Sequence, residues 1–341
     1  MKKMFIVSLL MGLLFACPAA AESAVFEDSL GRRITLDQPV ERIAITGPMA
    51  QYTVFALAPD MLVGVSSAWD EASKPFIAEE YQALPVLGQL YGGKTDVNLE
   101  ELLGAAPQVV IDIGQPKKGL AEDLDALSEQ TGIPYVHISM ETARMGDVYT
   151  KLGELLGRQE EAKALSDYCA MVYDRTVQIA SSVEKANLLY ITGLEGLNVI
   201  ARDSYHSEVI DLLSNNLAVV DSPSARGTGN EVDMEQILSW NPDVVIFAEK
   251  DMYDKAGDDP LWQAVAAISE KRYYRTPVGP YNWMGFPPSV QRLLGMTWMA
   301  KALYPQAADY DLYEETKQYF DLFYHCDLTR EAFDHLTAGA L

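Results

Sequence analysis

The sequence predicts a mixed α/β protein: two Rossmann-like lobes joined by one long α-helix. Three observations carry this prediction. Short apolar runs of strand length alternate with helical patterns along most of the 341 residues, as a mainly parallel sheet covered by helices requires. One phrase occurs twice: DVNLEELLGAAPQVVI at residues 96–111 returns 135 positions later as EVDMEQILSWNPDVVI at residues 231–246. Between the copies, residues 158–182 keep a helical period without Pro or Gly.

The first 21 residues read as an export signal. Lys2 and Lys3 precede an apolar stretch over residues 4–16, and Ala19-Ala20-Ala21 offers an A-x-A cleavage site. The stretch is shorter than the ~20 residues a membrane span needs. LFAC, ending at Cys17, loosely resembles a lipoprotein box, but Phe15 fits it poorly. Cleavage after Ala21 is therefore preferred to a lipid anchor on Cys17.

Residues 22–157 are expected to form the first lobe. VFEDSLGRRITL opens it as a β-hairpin turning at Leu30-Gly31, and RIAIT follows as a buried strand. PMAQYTVFALAP has helical spacing, and MLVGVS reads as a second strand. VVIDI and YVHIS are further strands, with the helix GLAEDLDALSEQTG between them. Residues 158–182 form the interlobe helix: Ala162, Leu165, Cys169, Val172, Thr176 and Ile179 recur at steps of three and four, which is one helix face. At 1.5 Å per residue it runs roughly 37 Å, and so stiff a strut predicts limited closure between the lobes. Residues 183–341 form the second lobe. It holds the strands NLLYIT, DVVIFA and RYYRT, the helices SEVIDLLSNN and SVQRLLGMTWMAKALYP, and an amphipathic LYEETKQYFDLFYHC that packs back on the core.

The repeat is architectural first. Each copy is a short helix halted before a proline, Pro107 or Pro242, because the residue before proline disfavours the helical region. A Val-rich run then enters a sheet. Glu100 and Glu235 fall on the first helical turn, where the helix dipole favours an acid by ~0.3–1 kcal/mol. Asn98 and Asp233 stand where caps are expected.

Composition narrows the function. An apolar content of 49% with 10% aromatics supports real cores. A formal charge of −23 repels nucleic acid and anionic lipid. Two cysteines follow the signal, Cys169 and Cys326. An oxidising compartment permits a bridge between them, but two separate buried thiols are the preferred expectation. The sequence lacks G-x-x-x-x-G-K-[ST], G-x-G-x-x-G after a strand, G-x-S-x-G and H-E-x-x-H. Its four histidines are scattered. A nucleotide-using or zinc-dependent enzyme is thus disfavoured, and no intrinsic cofactor is expected.

At this point the residues resemble a family. ERIAITGPMAQYTVFALAPDMLVGVS, the two repeat copies, the long central helix and GLNVIARDSYHSEVIDLL are similar, in order and spacing, to periplasmic binding proteins of the iron-siderophore, haem and cobalamin ABC importer class. The resemblance spans nearly the whole chain after the signal. It implies a periplasmic, monomeric receptor that delivers a small-molecule metal complex to a permease dimer with its ATPase subunits. It also implies that Glu100 and Glu235, one per lobe, dock on arginines of that permease.

In such a two-lobed fold the ligand is expected between the lobes, outside the carboxyl ends of the strands. The loops there carry Tyr52, Trp69, Tyr91, Tyr281 and Trp283, and aromatic walls suit a flat or greasy metal chelate. RDSYHSE adds Arg202 as an anion partner, with Tyr205 and His206 as metal-capable side chains. His206 is the candidate for contact with the metal, directly or through the chelate. An iron-siderophore complex leads the expected ligands, followed by haem and cobalamin, then by a metal oxyanion such as molybdate or a nickel complex. For an oxyanion, Lys94, Lys117, Lys118 and Arg202 would supply positive charge against the acidic total. His137, His325 and His335 are read as structural.

Overall fold

The computed structural model describes residues 24–37, 39–90 and 97–341. The chain opens on the expected hairpin, β1 (Ala24–Glu27) against β2 (Arg33–Leu36). Asp28 and Arg32 tie the turn together through a side-chain ion pair at 2.6 Å.

The first lobe is built on a three-stranded parallel sheet. Its members are β3 (Ile43–Ile45), β4 (Val109–Gly114) and β5 (Tyr135–Ser139), in that order. Ile43 pairs with Val109, and Val110 with Tyr135. Almost every side chain in these strands is buried, as a sheet covered on both faces demands. MLVGVS does not form the expected second strand. It makes only single bridges, Leu62 to Ile43 and Val65 to Val86. At Gly64 any Cβ would lie 2.5 Å from the Leu87 side chain. The segment gains its close approach to residues 85–87 from glycine, which also weakens a strand.

The helix Gln159–Ser182 is continuous over 24 residues and buries all six positions of the expected face, together with Tyr168 and Ala180. Beyond it lies the second sheet. Its strands are β6 (Asn187–Thr192), β7 (Asn198–Val199), β8 (Asn215–Asn216), β9 (Asn230–Glu231), β10 (Val244–Phe247) and β11 (Tyr273–Arg275). The order is β11-β10-β6-β7-β9, with β8 beside β6. β6, β8, β10 and β11 are parallel, while β7 and β9 join antiparallel.

The C-terminal helix Leu312–Tyr324 packs back on the core, and much of its contact is with the first lobe. Phe320 meets Phe76 edge-on at 5.1 Å, Phe323 meets Tyr149 at 6.0 Å, and His325 lies 5.9 Å from Phe55. The Tyr319 and Tyr324 hydroxyls both donate to Gln291 Oε1, at 3.0 and 2.6 Å. One apolar core accordingly runs through both halves of the chain. Cys169 and Cys326 are separate thiols, the first fully buried, and burial pushes its pKa up. Among the described residues no helix is long and apolar enough to cross a membrane.

Candidate functional site

Where β3 and β4 end, the chain opens into a cavity of about 440 Å3. Thr46, Gly47, Pro48 and Met49 line it after β3, Gly114 at the end of β4, and Gln115 and Lys117 after it. Tyr205, His206, Ala225 and Pro288 close it from the second half of the chain. This is the crevice outside the carboxyl ends of parallel strands.

The first-lobe wall is built around a helix start and two glycines, Gly47 and Gly114. The helix Pro48–Leu57 starts at the cavity with Gly47 as its cap residue, no side-chain cap bond and no acid in its first turn. Its terminal N–H groups and positive dipole end are left for a ligand. A second helix, Leu120–Thr131, reaches the rim at Leu120, but its first N–H donates to the Lys117 carbonyl at 3.1 Å and Glu122 and Asp123 occupy its first turn, so it offers an anion less. Gly114 adopts φ +157°, and a Cβ there would stand 2.5 Å from the end of Met49. The acid in the wall, Asp112, is held on both oxygens: Thr46 Oγ1 donates to one, and His137 Nδ1 lies 2.7 Å from the other. His137 is therefore structural, as expected.

The second wall is made of side chains. The His206 ring stacks on Phe286 at 5.2 Å and 9°, and Phe286 stacks on Tyr190 at 5.6 Å and 13°. Burial, aided by the Arg292 charge, lowers the His206 pKa, which favours a neutral imidazole near pH 7. Burial raises the Tyr205 pKa, so its phenol stays protonated. Behind this loop sits Arg292, only 2% exposed. Its Nη1 donates to Glu208 and to Thr142, both at 2.5 Å, and its Nη2 donates to the Tyr205 carbonyl. Its guanidinium carbon lies 4.7 Å from the Tyr205 ring centroid. Arg292 thus fixes the Tyr205–His206 loop and ties it to Thr142 of the first lobe.

The structure brings Tyr205 and His206 together at the cavity, and departs from the other aromatic expectations. Trp283 is fully buried, with Nε1 donating to the Gly279 carbonyl at 2.9 Å. Trp69 is buried, with Nε1 donating to the Tyr81 carbonyl at 3.0 Å. Tyr52 is buried in its helix, 4.1 Å from the half-buried Tyr281 ring. These four rings complete the core beside the C-terminal helix instead of lining the cavity. The returning helix supplies apolar cover that no local pattern in their loops announces. Arg202 binds the Asn216 carbonyl and the Asn215 side chain, at 2.8 and 2.9 Å, which uses its donors at the sheet edge. Tyr91 and Lys94 lie outside the described residues. The loops that begin at Gly47 and Gly114 were expected at the cleft, but neither glycine, nor Thr46, was singled out; for Gly47 the signal is a glycine just past a buried strand, capping a helix without Ser, Asp or Asn. Among the described residues no group of three or more His, Cys, Asp or Glu is placed to hold a metal ion.

The two repeat helices, Leu99–Ala105 and Met234–Trp240, fold alike. Asn98 accepts from the N–H groups of Glu100 and Glu101, each at 3.2 Å, and Asp233 accepts from that of Gln236 at 2.8 Å. Each helix ends on a left-handed residue, Ala106 at φ 45° and Asn241 at φ 46°. Glu100 and Glu235 are exposed, and among the described residues neither forms an ion pair.

A two-lobed α/β fold with an interlobe cavity defines a solute-binding protein, and the comparisons agree. The chain belongs to the periplasmic binding protein family, whose model matches residues 76–278. An ABC transporter solute-binding protein from Sulfurospirillum deleyianum is 26% identical, with a TM-score of 0.83 over 92% of this chain and 98% of its own. A periplasmic solute-binding protein from Veillonella parvula is 26% identical, with a TM-score of 0.76 over 93% and 97%. The molybdate-binding protein MolA of Haemophilus influenzae is 25% identical over 95% of this chain and 96% of its own. These relatives are transport proteins, not enzymes.

Proposed function

We propose that the protein, exported by cleavage after Ala21, captures a small metal oxyanion of the molybdate type and delivers it to an ABC permease. The observation that carries the ligand reading is the start of the helix Pro48–Leu57, with no side-chain cap and no acid in its first turn, at a cavity that Lys117 also lines. Helix N-termini bind anions through free N–H groups and their dipole. Tyr205 and His206 add polar contacts from the opposite wall. The acid in the cavity wall, Asp112, has both oxygens engaged. The name of the Haemophilus relative points the same way. Removal of Trp69, Trp283 and Tyr52 from the wall takes away the aromatic lining that favoured a bulky chelate.

A second reading keeps the iron chelate, and the cavity volume supports it. About 440 Å3 exceeds what one oxyanion fills, given that a water occupies ≈ 30 Å3. In that reading the Tyr205 phenol and neutral His206 imidazole would meet the metal or its chelator. In both readings Glu100 and Glu235 dock on the permease.

Native mass spectrometry with elemental analysis, on protein exported by its own host, tests the choice. Molybdenum or tungsten without an organic mass supports the oxyanion. An iron-bearing organic mass establishes the chelate instead. Calorimetry with molybdate, tungstate, sulfate and a ferric siderophore extends the test to protein purified empty.

A further inference from the structure

We propose that Leu103 and Leu238 are the apolar anchors of a two-point docking surface, each seating in an apolar pocket beside a cation on a two-fold symmetric permease. The inference rests on the transporter reading and adds a second chemistry to the contact assigned to Glu100 and Glu235.

Leu103 is 49% exposed and Leu238 39%. A single exposed leucine needs no explanation. Here, however, the two exposed leucines occupy the same position of the two repeat copies, three residues after Glu100 and Glu235. The copies have diverged around them, EELLGA against EQILSW. The core contact is already met by the preceding residue, Leu102 or Ile237, which is buried in each copy. Folding therefore gives no reason for apolar surface at the next position, and it is found there twice.

Residues three apart on a helix lie on one face, so each helix presents a carboxylate and an isobutyl group side by side. An exposed ion pair alone contributes little. An apolar group that excludes water from the same patch strengthens the charge contact and adds buried area of its own. Two like patches on two like units fit a partner that offers one site twice, which a two-fold dimer does. The acidic total of −23 and the unpaired glutamates fit a cationic rim on that partner.

The test uses the full-length exported protein and its permease–ATPase complex in lipid nanodiscs, with affinity measured over a range of salt. The Leu103→Ser/Leu238→Ser double variant should lose docking affinity about tenfold or more, with an unchanged salt slope. Molybdate or chelate binding and far-UV circular dichroism should match the parent. A Leu103→Met/Leu238→Met variant should dock normally, which separates lost apolar area from disturbed helices. The Glu100→Ala/Glu235→Ala variant should lose both affinity and salt dependence. Docking of the Ser variant within about twofold of the parent, with the Glu variant impaired, overturns the leucine inference alone. If neither pair of substitutions impairs docking, the assignment of this face to the permease falls as well.

Discussion

The two lobes are alike at one edge and unlike at the other. At the repeat helices the match extends to cap, buried residue and left-handed exit, with Leu102 and Ile237, then Ala106 and Asn241, in register. At the cavity the first lobe offers one helix start, glycines and Lys117, while the second offers Tyr205 and His206. The difference teaches how one architecture serves two kinds of contact. Symmetry is kept where the expected partner is symmetric, and is absent where a single ligand meets both lobes. The strap formed by Leu312–Tyr324 reinforces the distinction, since it packs on the first lobe although it belongs to the second half of the chain.

Substitutions can break this comparison on either side, and the largest effect is expected at the symmetric edge. Glu100→Ala with Glu235→Ala should abolish uptake while sparing ligand affinity; transport in reconstituted vesicles and calorimetry check this, and loss of ligand binding would misplace the docking face. On the cavity side, Arg292→Met should lower unfolding stability by about 2 kcal/mol, the scale for losing hydrogen bonds from a charged group, because Glu208 is about a third exposed and stays hydrated. Denaturant titration measures that loss, and weakened ligand binding should accompany it because the Tyr205–His206 loop loses its anchor. Gly114→Ala should cost about 1–3 kcal/mol of backbone strain and push Met49 toward the cavity. Calorimetry should then show weaker binding with docking intact. Smaller still, Asn98→Ala or Asp233→Ala should each cost about 1 kcal/mol, and similar losses from both would confirm that the caps do equal work.

The smallest effect is the acid response of His206. Burial holds its pKa below the ordinary value of 6.5, so the unfolded chain binds this proton before the native one does. Its contribution makes stability fall as pH drops from about 6.5 through the lowered native value, with no effect above that window. His206→Gln should flatten the slope of stability against pH there, measured by denaturant titration at stepped pH.

Much of this was legible in the sequence. The period of residues 158–182 named the buried face of the central helix, because a long uninterrupted helix fixes which side chains share a side. The repeat foretold two like helix–strand units, with Asn98 and Asp233 capping locally through residues two or three positions on. Local chemistry decides such features, and local sequence reports them. MLVGVS failed as a strand because its backbone partners are split between Ile43 and residues 85–87, which no local pattern reveals. Trp69, Trp283, Tyr52 and Tyr281 were assigned to a ligand wall from their loops, yet they share one core with the helix Leu312–Tyr324, which begins 29 residues or more further along the chain. Tertiary structure also decided that Arg292 stands behind Tyr205, and that the helix start at Gly47 and the Tyr205–His206 loop face a common cavity. The sequence by itself determined the elements, their order and the two-fold repeat. Which aromatic rings became core and which groups face the ligand depended on how distant elements pack, since burial belongs to the assembled surface and not to any one segment.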